Sequence, residues 1–595
     1  MIREAAGPSC TPFQARYRKG AAGGIPPPFY APYVLIALLL LAPPGPALAQ
    51  DASACDGKIV SAIAIVPRDP SFIRIPRPLR TVARGVGLHH TTTKADVIGR
   101  FLLLSVGRSC TEQLRAESER ILRFQPFLAE ATVRTVSDGA GGVRVEVETT
   151  DEIPTVFSLR FRNGLPAALR IGNGNVGGQG VYLAVRGERG FAYRAGVGVQ
   201  LVAYQALGRP YTLALVADRT PLGSTVSIEL GHSFITDLQR TAWHVGFRDV
   251  RGYTSFVRPD GDALSLGARR RFADVGGVVR IGLRGRSAFV GGLLTHERVA
   301  PAAYAVVVTD SGLVPDTSAP LRGPFAPVHN MRLNAVVGVR SVAFMAVRGF
   351  DALAGAQDVA TGVQFGAIAG RSASWFGAGD NDVFLAADLY AGLGSAMSFA
   401  ALQVEGEARN DRNTDRWDSM VASGRLAWYF KPSAAYILIG SGEFSGGWRW
   451  QERFPFQLRL GDREGGVRGY RASRVAGGVR SVGSLEARRL IGRLTRHIGL
   501  GLATFVDAGR VWAGDAPFGV DSRVKVGVGV GLLAAIPPRS RQLWRLDLVV
   551  PVSTDADARW ELRLTSVRWR GFWREPGDVA RARAGAAPAT IFTWP

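Results

Sequence analysis

From Pro154 onward the chain repeats one pattern, in which apolar and polar or small residues alternate over roughly ten positions before a Gly, Asp, Asn or Pro turn intervenes. "RVKVGVGVGLL" sets Val524, Val526, Val528 and Val530 on one face and mostly glycine on the other. "LWRLDLVV" sets Trp544, Leu546 and Leu548 against Arg545 and Asp547, and "RWELRLTSVRW" sets Trp560, Leu562 and Leu564 against Glu561 and Arg563. A period of two is the period of a strand. Apolar-out, polar-in strands ending in aromatic residues predict a transmembrane β-barrel, whose closure leaves no unpaired strand edge in lipid. A soluble β-sandwich alternates in the same way strand by strand and is the alternative. The length of the strand series and an export signal favour the barrel.

Before Pro154 the texture is mixed. "KIVSAIAIV" alternates like a half-buried strand. "TTTKADVIGRFLLLS" predicts a helix with Thr93 as N-cap, Asp96 three residues on, and Val97, Phe101 and Leu104 on one face. "EQLRAESERILRF" predicts a second helix, capped by Thr111 and broken by Pro126. Two strands follow, "EATVRTVS" and "GGVRVEVETT", joined by the turn "DGAGG". The order β-α-α-β-β defines a small module at 50–152. At the N-terminus, basic residues Arg16, Arg18 and Lys19 precede the apolar run Val34–Ala42 and the small-residue site Ala47–Ala49. The run falls short of the about 20 apolar residues a membrane helix needs, so 1–49 reads as a cleaved signal peptide. Cleavage leaves Cys55 and Cys110, both in the module. A bridge is the default for a lone pair in an oxidising compartment, with two separate buried thiols as the alternative.

Composition narrows the partners. Glycine is abundant at 73 residues, and the formal net charge is +23, nearly all from arginine. The basic residues alternate with apolar ones along many strands instead of forming an arm, and no nucleic-acid reader motif accompanies them, so phosphate-bearing lipid is expected in place of nucleic acid. "GNGNVGG" at Gly172–Gly178 matches a dinucleotide fingerprint, but a strand follows it where a helix is required, so it reads as a hairpin turn. His89 and His90 lack metal-ligand spacing, and no nucleophile motif occurs. The chain is expected to be no enzyme and to need neither cofactor nor metal.

Three tetrapeptides remain: "VRGY" at Val250–Tyr253, "VRGF" at Val347–Phe350 and "VRGY" at Val467–Tyr470. Only the third has a glycine-rich preamble, "GDREGG", and two downstream partners. These are "SLEARRL", with Glu486 and Arg488 on one face, and "FVDAGRVW", with Phe505, Asp507 and Gly509 on one face. The other two read as ordinary strands or hairpins. In this loop, these two strands and their order, the chain resembles the BamA/TamA-like outer-membrane assembly proteins, the bacterial surface antigen family. The resemblance implies a sixteen-stranded antiparallel barrel at 153–573 and a lid loop of Val467, Arg468, Gly469 and Tyr470 folded back inside it. Arg468 would meet Asp507 of the F-x-D-x-G strand, with Glu486 as a second acceptor.

The same resemblance makes the module a single POTRA-like periplasmic domain that takes up client polypeptides by strand addition. It implies an outer-membrane site among lipid and lipopolysaccharide, the chance of periplasmic accessory proteins, and a role in inserting or passing clients across that membrane. A passive pore or structural barrel, or a two-partner secretion transporter, is the alternative. The segment 574–595 departs from the pattern, as a tail after the last strand, expected to end near Trp569–Trp573.

Overall fold

A computed structural model of the chain describes residues 55, 57–70, 91–162, 165–191, 194–283, 285–316, 325, 327–372, 377–449, 456–462, 465–471, 473–552, 558–568, 572 and 575–583. The expected signal segment, and with it His89 and His90, lies outside them.

The first part is a small sheet packed on helices. Strands β1 (Val60–Arg68), β2 (Leu128–Ser137) and β3 (Val143–Asp151) lie in the order β1-β3-β2, with β1 parallel and β2 antiparallel to β3. Val143, Val145 and Val147 alternate inward along β3 and are fully buried. They meet Val97, Ile98, Phe101, Ile121 and Leu122 from the helices α1 (Ala95–Gly99) and α2 (Glu112–Phe124). Thr111 caps α2 by accepting the Leu114 amide at 3.3 Å. Thr93, expected to cap α1, does other work. Its amide and hydroxyl both donate to the buried Asp151 carboxylate, at 2.8 and 2.7 Å, and α1 starts one residue later without a side-chain cap. Two acceptor oxygens at once outbid a single cap bond. Cys55 and Cys110 are joined as a disulfide with a Cα separation of 5.2 Å, which pins the segment before β1 to the loop between the helices.

The second part is one antiparallel sheet ordered as a closed ring, in which the last strand neighbours the first. Six shorter strands open it: β4 (Thr155–Arg162), β5 (Leu165–Asn173), β6 (Val181–Phe191), β7 (Arg194–Ala206), β8 (Tyr211–Thr220) and β9 (Gly223–His232). Longer ones follow: β10 (Thr241–Phe256), β11 (Leu264–Leu283), β12 (Arg286–Val308), β14 (Val328–Arg348) and β15 (Ala356–Ser372), with the short β13 (Leu313–Asp316) paired to the end of β12. Then come β16 (Asp382–Gly394), β17 (Ser398–Asp411), β18 (Arg416–Phe430) and β19 (Tyr436–Trp448). After a long loop the ring ends with β24 (Val479–Thr495), β25 (Ile498–Trp512), β26 (Lys525–Ala535), β27 (Gln542–Pro551) and β28 (Glu561–Arg568).

The expected count of sixteen strands is therefore too low. Among the described residues the ring holds twenty-one strands, and β12 pairs directly with β14 past the short β13. The count of sixteen came from the resemblance alone; the alternation along the chain specifies strands but not their number. The outer face is apolar: Val185, Val199, Ile228, Phe247, Val290, Val337, Phe365, Leu485, Leu502, Val530, Leu548 and Leu564 are all exposed. A soluble sandwich would bury such a face, since contiguous apolar patches of this extent are rare on water-facing surfaces. Among the described residues no helix is long and apolar enough to cross a membrane.

The module is docked on one end of the ring through its turns. The β5–β6 turn carries "GNGNVGG", and there Lys94 donates its amide to the Gly178 carbonyl at 3.0 Å while Asn175 donates to the Thr93 hydroxyl at 2.8 Å. A Cβ on Gly178 would lie 2.3 Å from the Thr92 carbonyl oxygen, so glycine is what permits the approach. Arg123 of α2 pairs with Asp358 at 2.5 Å, and Arg539 with Glu130 at 2.7 Å. Ser540 donates to Glu152, and Arg541 to the Gln125 carbonyl at 2.8 Å. Glu117 accepts from Thr236 at 2.7 Å. Burial pushes the Glu117 carboxyl up, but Arg120 beside it outweighs this and holds it below the usual carboxylate range.

Breaking the disulfide should cost the module about 4 kcal/mol, the loop-closure entropy of a cross-link 55 residues apart. In the full chain this is read as a drop in the urea concentration at which the module becomes protease-sensitive. Unreduced peptide mapping should recover Cys55 and Cys110 in one cross-linked species. Two free thiols would refute the pairing.

Candidate functional site

The long loop between β19 and β24 is folded on itself by two short pairings. One joins β20 (Leu458–Arg459) to β23 (Ala476–Gly477), and the other joins β21 (Gly461–Asp462) to β22 (Gly465–Gly466). Together they return the chain so that residues 467–470 point into the ring. Gly466 and Gly469 sit at φ of +78° and +93°, a conformation side chains resist. Val467 and Tyr470 are buried on either side, packed with Leu460, Val482 and Val511.

Arg468 occupies the centre. Its Nε donates to Asp507 Oδ2 at 2.6 Å and its Nη2 to Asp507 Oδ1 at 2.8 Å, a bidentate fork. Its backbone amide reaches the same carboxylate at 3.3 Å, and Nη1 reaches Glu486 Oε2 at 3.3 Å. The guanidinium carbon stands over Phe505, 3.4 Å from the ring centroid. Gly527 lines the other side, and a Cβ there would stand 2.2 Å from the Arg468 carbonyl oxygen. Phe505, Asp507 and Gly509 thus share the inward face of β25, and Ser484, Glu486 and Arg488 that of β24, as the register pairs Ser484 with Asp507.

The network extends further than the two expected acceptors. Glu486 also accepts from Arg545 Nη1 and Nη2 at 2.8 and 3.0 Å, and from Arg488. Arg545 in turn reaches Asp547, and Ser484 donates to Asp507 at 2.7 Å. Gly469 donates its amide to Glu561 of the last strand at 3.1 Å, and Tyr470 its hydroxyl to the Val526 carbonyl at 3.0 Å. Asp507 and Glu486 are almost wholly excluded from solvent, so every charge here needs its partner.

Two more segments fill the interior. The first is the turn after β14, expected to be an ordinary hairpin. It folds inward at Gly349, φ +83°, and buries Phe350 against Tyr429, with ring centroids 4.8 Å apart. Tyr429 donates to Asp351 at 3.0 Å, and Arg488 donates to the Phe350 carbonyl at 2.9 Å, which ties this turn to Glu486. Arg251, by contrast, stays within β10 on the outer wall.

The second is the tail. Phe572 meets Tyr390, centroids 5.8 Å apart, and its carbonyl accepts from Arg425 at 2.8 Å. Glu575 accepts from Ser423. Helix α3 (Gly577–Arg583) buries Val579 against Val421, Phe456 and Leu458, and Asp578 takes both Nη atoms of the buried Arg480 at 2.6 and 3.1 Å. After β28 the chain therefore turns back and threads the ring. Its contacts run from Tyr390, near the module-side end of β16, to Arg480 at the far end of β24.

Arg545, Asp547 and Glu561 were legible as inward residues by parity, but nothing in the pattern marked them as partners of Arg468. The tail carried no signal beyond its excess length. Among the described residues no group of side chains is placed to hold a metal ion.

Arg468→Ala should leave Asp507 short of its main partner and destabilise the loop by about 3–5 kcal/mol, the usual cost of breaking a buried pair. The loop should become cleavable by protease, and the folded form should convert at lower temperature on semi-native gels. Arg468→Lys should recover part of this, because an ammonium lacks the fork. Arg412→Ala, at an exposed hairpin, should change neither. Equal stability of all the variants would refute the role given to the fork.

No protein-family model matches the chain, and no curated protein does. Solved structures similar to it include CdiB from Escherichia coli, at 12% identity over 88% of this chain and 92% of that one, with a TM-score of 0.40. BamA from Haemophilus ducreyi lacking POTRA domains 1-3 aligns at 10% identity over 86% and 83%, with a TM-score of 0.36. CdiB from Acinetobacter baumannii aligns at 10% over 89% and 94%, also with a TM-score of 0.36.

Proposed function

We propose that this chain is an outer-membrane protein of the assembly or translocation type, BamA/TamA-like in plan, which helps client polypeptides enter or cross that membrane. The single observation that carries this reading is the loop held inside a closed, apolar-walled ring by the Arg468 fork. Barrels of sixteen to eighteen strands already enclose an aqueous channel when nothing fills them. Here the loop, the inward turn at Phe350 and the tail all occupy the interior, and the module sits at one mouth. A passive pore has no use for so much stopper.

The module supplies the place where a client is first held. In its three-stranded sheet β1 and β2 are the edge strands; the outward carbonyl and amide of Val133 on β2 are taken by Arg115 and Glu119, so β1 beyond Val60 is the edge offered to a client. An extended polypeptide adds to such an edge by main-chain hydrogen bonds, with little demand on its sequence. The module then faces the periplasm, and the opposite end of the ring faces outward. Clients, accessory proteins and lipopolysaccharide are the partners this placement offers, and no step draws on a nucleotide or metal.

The test has two arms. In planar bilayers the full chain should conduct poorly, while a chain ending at Arg574, which lacks the Asp578 tether, should show larger and more frequent openings. Depletion in cells should lower a subset of outer-membrane proteins. High, steady conductance of the full chain with an unchanged outer-membrane proteome would establish the passive pore in its place.

A further inference from the structure

The register sets arginines side by side on the outer wall, on the half of the ring away from the module. One row runs Arg219, Ser224, Arg251, Arg269 and Ala300 across β8 to β12. The next row, one step nearer the apolar belt, runs Ala217, Val226, Asp249, Arg271 and Arg298. Arg251 stands directly opposite Arg269, and Arg271 directly opposite Arg298. Neighbouring strands are only about 4.8 Å apart, and like charges facing each other across them are destabilising.

One carboxylate serves the group. Asp249 accepts from Arg269 at 3.0 and 2.5 Å and from Arg271 at 3.2 Å. The lumenal acids cannot help, because residues of the other parity, Glu229 and Glu297, point inward and pair with Arg248 and Arg409. Among the described residues, five arginines thus face outward around a single acid, Asp249, which pairs with only two of them. Directly toward the module on the same face lie the exposed Val226, Ile228, Val245, Phe247 and Val275. A lipid tail lying on that belt brings its headgroup to the height of the arginines.

We propose that this patch is a binding site for the phosphate groups of a phosphorylated glycolipid in the outer leaflet. The inference rests on the membrane placement proposed above. Guanidinium forks match phosphate oxygens in pairs, and several facing forks suit a headgroup with more than one phosphate. The bound anion relieves the facing repulsion that the protein alone leaves in place.

The experiment reconstitutes the full chain in phosphatidylcholine nanodiscs doped with lipopolysaccharide and counts retained glycolipid by native mass spectrometry. The variant Arg251→Gln/Arg298→Gln leaves the Arg269–Asp249 pair intact, so it should fold normally. It should retain the glycolipid about thirtyfold more weakly, as the loss of two surface arginines implies. Arg412→Gln should retain it as the parent does. Phosphatidylglycerol, with one phosphodiester, should compete poorly, and so should millimolar inorganic phosphate. Unchanged retention by the double variant would overturn the site, as would equal competition by either reagent. A chain that never enters the nanodisc would overturn the membrane reading and the site with it, so the two failures are told apart by insertion.

Discussion

The loop and the inward turn are joined through one carboxylate that three guanidinium groups share. Glu486 binds Arg468 from the loop, Arg488 from its own strand and Arg545 from across the interior. Period-two alternation forces half the residues of every strand into the lumen, and a lumen shielded from water tolerates charge only in pairs. Arginine suits that setting because it stays charged and offers several donors in a plane. Arg488 carries the connection on to the turn at Phe350, and Arg468 carries it to the loop. The loop, the turn and the wall are therefore held as one body.

The module is joined to that body from the other side. Its helix α2 pairs with Asp358 just past the inward turn, and its last residues meet the β26–β27 turn at Ser540 and Arg541. The short path from the module through Arg123, Asp358 and the Phe350 turn to Arg488 is a physical link between the module and the loop.

Much of this was legible in advance. Parity alone sorted Leu546 and Leu548 outward and Arg545 and Asp547 inward, because a strand has no other way to orient them. The glycine preamble set Val467–Tyr470 apart from the other two tetrapeptides, but that it folds back inside the ring was implied by the resemblance and not by the pattern. Parity says nothing about which inward residues meet across a lumen, so Arg545 was missed as a partner of Glu486. Nor does it say how many strands a ring contains when glycine is common inside them. Thr93 was misread for a different reason: a local cap and a distant carboxylate compete for the same hydroxyl, and Asp151 is invisible from position 93.

The tail sets the order in which the molecule can be made. Asp578 finds Arg480 across 98 residues, and Arg539 finds Glu130 across 409. Contacts of such separation make folding slow, because long loops must close before the contacts return any free energy. Hairpins between neighbouring strands close only short loops, so the wall can pair before its filling is in place, and the protein passes through a stage more open than the one it keeps.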